Sequence, residues 1–73
     1  MIVEIIRFAI GVNTQYEKDA RKILDDCYIE ILNKESLDEY NRTWFYCETN
    51  RRRYDAVRKR LNRTKYQVLL RCP

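Results

Sequence analysis

Cys27-Tyr28-Ile29-Glu30-Ile31-Leu32 is the stretch on which the architecture of this chain turns. Read with a period of 3.6, Ile31 and Leu32 prolong the apolar stripe of a helix that begins upstream, and no Gly or Pro interrupts it. Read with a period of two, Cys27, Ile29 and Ile31 alternate against Tyr28, Glu30 and Leu32, as in a half-buried strand. A β-prone run, Arg42-Thr43-Trp44-Phe45-Tyr46-Cys47-Glu48-Thr49, follows at hairpin distance and favours the strand reading for residues 27–33. The polar segment between them, Asn33 to Asn41, reads as a loop in which Ser36 and Glu39 can cap a helical turn.

Upstream, residues 2–12 are rich in Ile, Val and Phe. Ile2, Ile6, Phe8, Ile10 and Val12 share one face and Val3, Ile5, Arg7 and Ala9 the other, the pattern of a central strand. Thr14 and Glu17 have the spacing of a capping box, and Tyr16, Ala20, Ile23, Leu24 and Cys27 recur at helical spacing, which predicts a helix over 15–26. Downstream, Asn50 can cap a second helix over 51–63 whose narrow apolar stripe is Tyr54, Val57 and Leu61. Residues 65–71 read as a last strand. The expected fold is α+β, a two-layer sandwich of ferredoxin-like order β-α-β-β-α-β. With residues 27–33 helical, the order becomes β-α-β-α-β with a longer first helix and three strands.

The 73 residues are expected to form a single domain, 1–73. With 45 % hydrophobic and 36 % charged residues the balance is that of a globular chain. One Gly (Gly11) and one Pro (Pro73) leave little material for loops. No run approaches the roughly 20 apolar residues of a membrane span. The opening residues carry Glu4 and Arg7 and lack the features of a signal peptide, so a cytoplasmic location is expected, with no membrane partner. Cys27, Cys47 and Cys72 are odd in number and widely spaced, and there is no His. That pattern suits reduced thiols in or near the core better than disulfides or a zinc site, and it implies no metal and no cofactor.

Charge is divided along the chain. Residues 1–40 carry five basic against nine acidic residues, whereas residues 41–73 carry ten basic against two acidic. On a helical wheel Arg52, Lys59 and Arg63 lie opposite the apolar stripe of the second helix, flanked by Arg53 and Arg60, which makes a basic stripe suited to phosphates. Arg51, Arg52 and Arg53 crowd the first turn, where the macrodipole disfavours cations but where phosphate is well received. The same arginines could instead pair with acidic residues of the first half of the chain.

On the aromatic strand, Arg42, Trp44, Tyr46 and Glu48 share one face, and Thr43, Phe45 and Cys47 the other. If Phe45 and Cys47 enter the core, Trp44 and Tyr46 stand beside Arg42 as a surface on which bases can stack. Arg42, Trp44 and Tyr46 resemble the third-strand motif of RNA-recognition-motif domains, a basic residue followed by alternating aromatics. Thr43 and Phe45 depart from that motif, and Phe8 is the only aromatic available for its companion in the first strand. In other surroundings these aromatics pack into the core, or form a protein-binding hot spot with Arg42.

Nothing in the sequence assembles a catalytic site. Histidine, Gly-rich phosphate loops and nucleophile elbows are absent, and Asp25 and Asp26 diverge by about 100° on a helix. A His-free nuclease built on Tyr46, Glu48 and Arg52 is the one enzymatic alternative. The expectation is a small non-enzymatic binding protein contacting RNA or DNA through Arg42, Trp44, Tyr46, Arg51, Arg52, Arg53, Lys59, Arg60 and Arg63. The alternative is a protein-binding regulator or inhibitor, of the phage or mobile-element kind, that occludes a nucleic-acid-handling protein such as a host defence nuclease. A homodimer that pairs opposite charges or edge strands is a further arrangement.

Overall fold

The computed structural model describes residues 4–72, apart from the side chain of Asp38. Ile2, Val3 and Pro73 therefore lie outside the described residues. The chain runs β1 (Ile5–Asn13), α1 (Glu17–Asp26), β2 (Glu30–Leu37), β3 (Arg42–Asn50), α2 (Arg51–Leu61) and β4 (Val68–Arg71). The four strands form one antiparallel sheet in the order β2-β3-β1-β4, so β1 is paired on both sides. Of the two orders the sequence allows, the four-stranded one forms.

The deciding stretch splits between the two readings. Helix α1 stops at Asp26, and Cys27 caps it with its N–H bonded to the carbonyls of Ile23 and Asp25. Tyr28 then takes φ 58°, a left-handed turn that a helix cannot accommodate, and it redirects the chain. Cys27 and Ile29 are buried on either side of this turn. The strand proper starts at Glu30, later than expected, and runs on to Leu37 through the segment expected as loop. A bulge between Ile31 and Asn33 shifts the register and leaves Leu32 half exposed.

Alternation along β1 and β3 separates two environments. Phe8, Ile10, Val12, Phe45 and Cys47 face the helices and join Ala20, Leu24, Tyr54, Val57 and Leu61 in one core. Arg7, Ala9, Gly11, Trp44 and Tyr46 point to the side without helices. Phe8 meets Tyr54 edge to face with centroids 5.1 Å apart, and Tyr16 stacks on Tyr66 at 4.3 Å, tying the start of α1 to the approach to β4.

Capping differs from the sequence expectation at one helix and agrees at the other. The Thr14–Glu17 box does not form. Asn13 accepts from the Gln15 N–H, Thr14–Tyr16 makes a 3₁₀ turn, and Thr14 Oγ1 hydrogen-bonds Thr43 Oγ1 at 3.3 Å. Ser36 reaches the same Thr43 hydroxyl at 3.4 Å from β2 instead of capping a turn, although a 3₁₀ turn does occupy Asp38–Tyr40. These contacts satisfy the fully buried Thr43 hydroxyl. Asn50 does cap α2, accepting from the Arg53 N–H at 2.9 Å.

At Gly11 a side chain has no room. A Cβ built there would stand 2.8 Å from Cε2 and Cζ2 of Trp44, whose ring lies across the strand. Gly11→Ala is expected to lower stability by about 1–3 kcal/mol through overpacking, read as a fall in the urea midpoint with the slope of the transition unchanged.

Candidate functional site

The residues singled out by sequence fall on two opposite faces. Arg42, Trp44 and Tyr46 lie on the open side of the sheet, whereas Arg51, Arg52, Arg53, Lys59, Arg60 and Arg63 belong to the helix layer on the other side. One flat ligand cannot touch both sets. The Tyr46–Glu48–Arg52 constellation is likewise not assembled, since Arg52 is exposed on α2 while Tyr46 and Glu48 face away from it.

Of the two sets that the alternation of β3 offers, Phe45 and Cys47 point inward, yet on the open face Trp44 is not a stacking platform. It is only 6 % exposed. Its ring rests on Gly11, and the guanidinium of Arg71 sits 4.5 Å from its centroid, so Arg71 occupies a position a base would need. Sequence alone did not place Arg71 there. Its position follows from the register, in which Arg71 is opposite Ala9 on β4 and Trp44 is opposite Gly11 on β3. Tyr46 remains 38 % exposed and donates its hydroxyl proton to Glu35 Oε2 at 3.1 Å. That bond, with smaller contributions from partial burial and the carboxylate charge, raises the Tyr46 pKa. Beside it an apolar depression of about 400 Å³ is floored by Ala9 and Leu32 and bordered by Arg7 and Arg71.

On the helix face, the basic residues sort by what they touch. Arg60 Nη1 bonds Asp26 Oδ2 at 3.4 Å and so joins α2 to α1. Arg51 stands 3.9 Å from Asp55, and Arg53 lies over the Tyr28 ring at 5.6 Å. Arg58 covers Tyr54, also at 5.6 Å. Among the described residues, Arg52, Lys59 and Arg63 have no acidic partner. Intramolecular pairing therefore accounts for only part of the basic half. The remaining ion pairs, Arg7–Glu48 at 3.3 Å and Lys34–Glu17 at 3.5 Å, are partly exposed and each adds at most about 1 kcal/mol.

The three thiols are free. Cys27 and Cys47 are buried, as the sequence suggests. Cys72 is exposed, with its sulfur 2.9 Å from the Tyr54 hydroxyl, and this bond is the main reason the Tyr54 pKa is raised. Among the described residues no group of three or more Cys, Asp or Glu side chains could hold a metal ion. Among the described residues no helix is long and apolar enough to cross a membrane.

No family model matches the chain, and no curated protein matches it significantly. Solved structures do resemble it. An uncharacterised protein of Thermotoga maritima superposes with a TM-score of 0.71 at 13 % identity, covering 97 % of this chain and 98 % of that one. A Thermus thermophilus protein assigned provisionally to the PII-like signaling proteins gives 0.70 at 11 % identity, covering 100 % of this chain and 88 % of that one. At such identities the likeness concerns the fold alone, a small ferredoxin-like α/β sandwich.

Burial pushes the Cys47 thiol from its ordinary 9.0 up to about 12. Because the folded state holds this proton more tightly than the unfolded one, the stabilisation is complete below pH 9.0 and is lost as pH rises towards 12. The raised Tyr54 and Tyr66 pKa values act in the same direction at higher pH. Urea denaturation at increasing pH is expected to show falling stability, and Cys47→Ala should remove up to about 1.4 kcal/mol per pH unit of that slope. A thiol reagent at neutral pH should label Cys72 in the folded protein, and Cys27 and Cys47 only after unfolding.

Proposed function

We propose that this protein binds nucleic acid through the outward face of α2, by contacts to the phosphate backbone. The observation that supports this is the set Arg52, Lys59 and Arg63: the first two project from α2 opposite its buried stripe of Tyr54, Val57 and Leu61, Arg63 stands in the turn just beyond the helix end at Leu61, short of the expected end at 63, and all three lack acidic partners among the described residues. A row of cations on a rigid helix gains affinity by releasing counterions from a polyanion. Arg51 and Arg53 add guanidinium groups at the first turn, whose forked donors suit phosphate. With Trp44 covered and Tyr46 on the opposite side, base stacking takes no part in this reading, which makes the binding independent of sequence.

A protein-binding regulator is the second reading, favoured by the open face of the sheet. Leu32 and Tyr46 are exposed beside the apolar depression that Arg7 and Arg71 border, a mixture of apolar, aromatic and arginine surface common in protein interfaces. The provisional signaling assignment of the Thermus thermophilus neighbour is compatible with such a role. Co-purification of a stoichiometric protein that survives nuclease treatment and is lost in Tyr46→Ala would favour this reading.

For the first reading, fluorescence anisotropy with labelled mixed-sequence RNA and DNA is expected to give dissociation constants of order 1–100 μM at physiological salt. The logarithm of affinity should fall linearly with the logarithm of salt concentration. The triple variant R52E/K59E/R63E should abolish binding at physiological salt, and each single neutralisation should lower the slope by about 0.9. Tyr46→Ala should bind as the parent does. Absence of binding at low salt would refute the reading.

A further inference from the structure

The two neighbours of β1 differ in length. β3 pairs with β1 along its whole course, from Ile5 opposite Asn50 to Asn13 opposite Arg42. β4 pairs only with residues from Ala9 to Val12 and ends at Arg71. Over Ile5, Ile6, Arg7 and Phe8 no described residue pairs with β1 on the β4 side. Every second residue there turns its N–H and C=O towards that side, where they form half of an unfinished ladder.

The space beside this edge is a cleft of about 680 Å³ in line with β4. It is lined by Ile5 and Ile6 of β1, by Arg51, Tyr54 and Arg58 of α2, and by Cys72. Its charges are unequal. Glu48 is held by Arg7 at 3.3 Å, which leaves Arg51 and Arg58 against Glu4. Arg51 has only a distant, exposed contact to Asp55 at 3.9 Å, and Arg58 has no ion pair among the described residues.

We infer that this cleft receives an extended, acidic segment of a partner protein, which continues the line of β4 by pairing with the free edge of Ile5–Phe8. Main-chain hydrogen bonds to β1 hold the segment, and every second side chain, a carboxylate, reaches Arg51 and Arg58. Alternation in a strand places those carboxylates on one side, the side of α2. A second copy paired about a two-fold axis is disfavoured by charge, because it would bring Arg51 and Arg58 towards their own equivalents. The other edge of the sheet is β2. It carries Glu30 and Glu35, is interrupted by its bulge and would repel an acidic strand.

The test uses the full chain and a pool of short fluorescent peptides in which Glu alternates with Val, Ile, Thr or Tyr. Matched pools carry Lys for Glu, or an N-methylated backbone. The Glu pool is expected to yield binders with dissociation constants of about 10–100 μM. R51E/R58E, both at exposed positions, should weaken them at least about tenfold, and the N-methylated and Lys peptides should not bind. R52E/K59E/R63E should leave peptide binding unchanged, which separates this cleft from the proposed nucleic-acid face. Amide hydrogen exchange should slow at Ile5–Phe8 on binding. No binder from the Glu pool, equal binding of the Lys pool, or protection at Glu30–Leu37 instead would overturn the inference. Growth of the scattering mass with protein concentration, abolished by R51E/R58E, would overturn it too, by making another copy the occupant.

Discussion

Phe8, Ile10 and Val12 stand on the helix-facing side of a strand that is hydrogen-bonded along both edges, and α1 and α2 lie against them. A chain of this length buries little surface, so the layer formed by these residues with Leu24, Phe45, Val57 and Leu61 has to be nearly complete for the fold to hold. That requirement sets the orientation of everything else. Once even-numbered positions of β1 face the helices, Arg7, Ala9 and Gly11 face the open side, and pairing with β3 carries Trp44 and Tyr46 with them.

The open side then solves its own packing problem. A Trp on an uncovered sheet would leave a large apolar ring in water. Here it lies on the bare backbone of Gly11 with the Arg71 guanidinium near its centroid. The arrangement gives the face a second, thinner apolar layer and consumes the aromatic that looked most available for a ligand. Tyr46, Leu32 and, at the start of β1, Ile5 stay exposed.

Charge follows the layers less simply than it follows the sequence. The acidic first half and basic second half of the chain meet, among the described residues, in one such pair, Arg60 with Asp26, which bridges α2 and α1 without neutralising either half. Most cations of α2 stay in solvent because the helix needs only Tyr54, Val57 and Leu61 to dock. The same economy explains how chains with 11–13 % identity share this fold. Inward-facing apolar residues on the two central strands and two narrow helical stripes carry the core here, and surface residues are free to differ.

Local information determined the helix cores, the Asn50 cap, the division of β3 into two alternating sets, the central role of β1 and the basic stripe, because each depends on periodicity or on neighbours a few residues away. Tertiary structure decided the rest. Thr14 and Ser36 turned to the buried Thr43 hydroxyl instead of forming their capping boxes, since a buried polar group left alone costs more than a cap gains. The strand expected at 27–33 shifted to Glu30–Leu37 because Tyr28 adopts a left-handed turn and β3 offers a longer edge to pair with. The separation of Arg42, Trp44 and Tyr46 from the α2 cations, and the cover of Trp44 by Arg71, depend on strand register across the sheet. Residues that are distant in sequence meet only there, and no local pattern encodes that register.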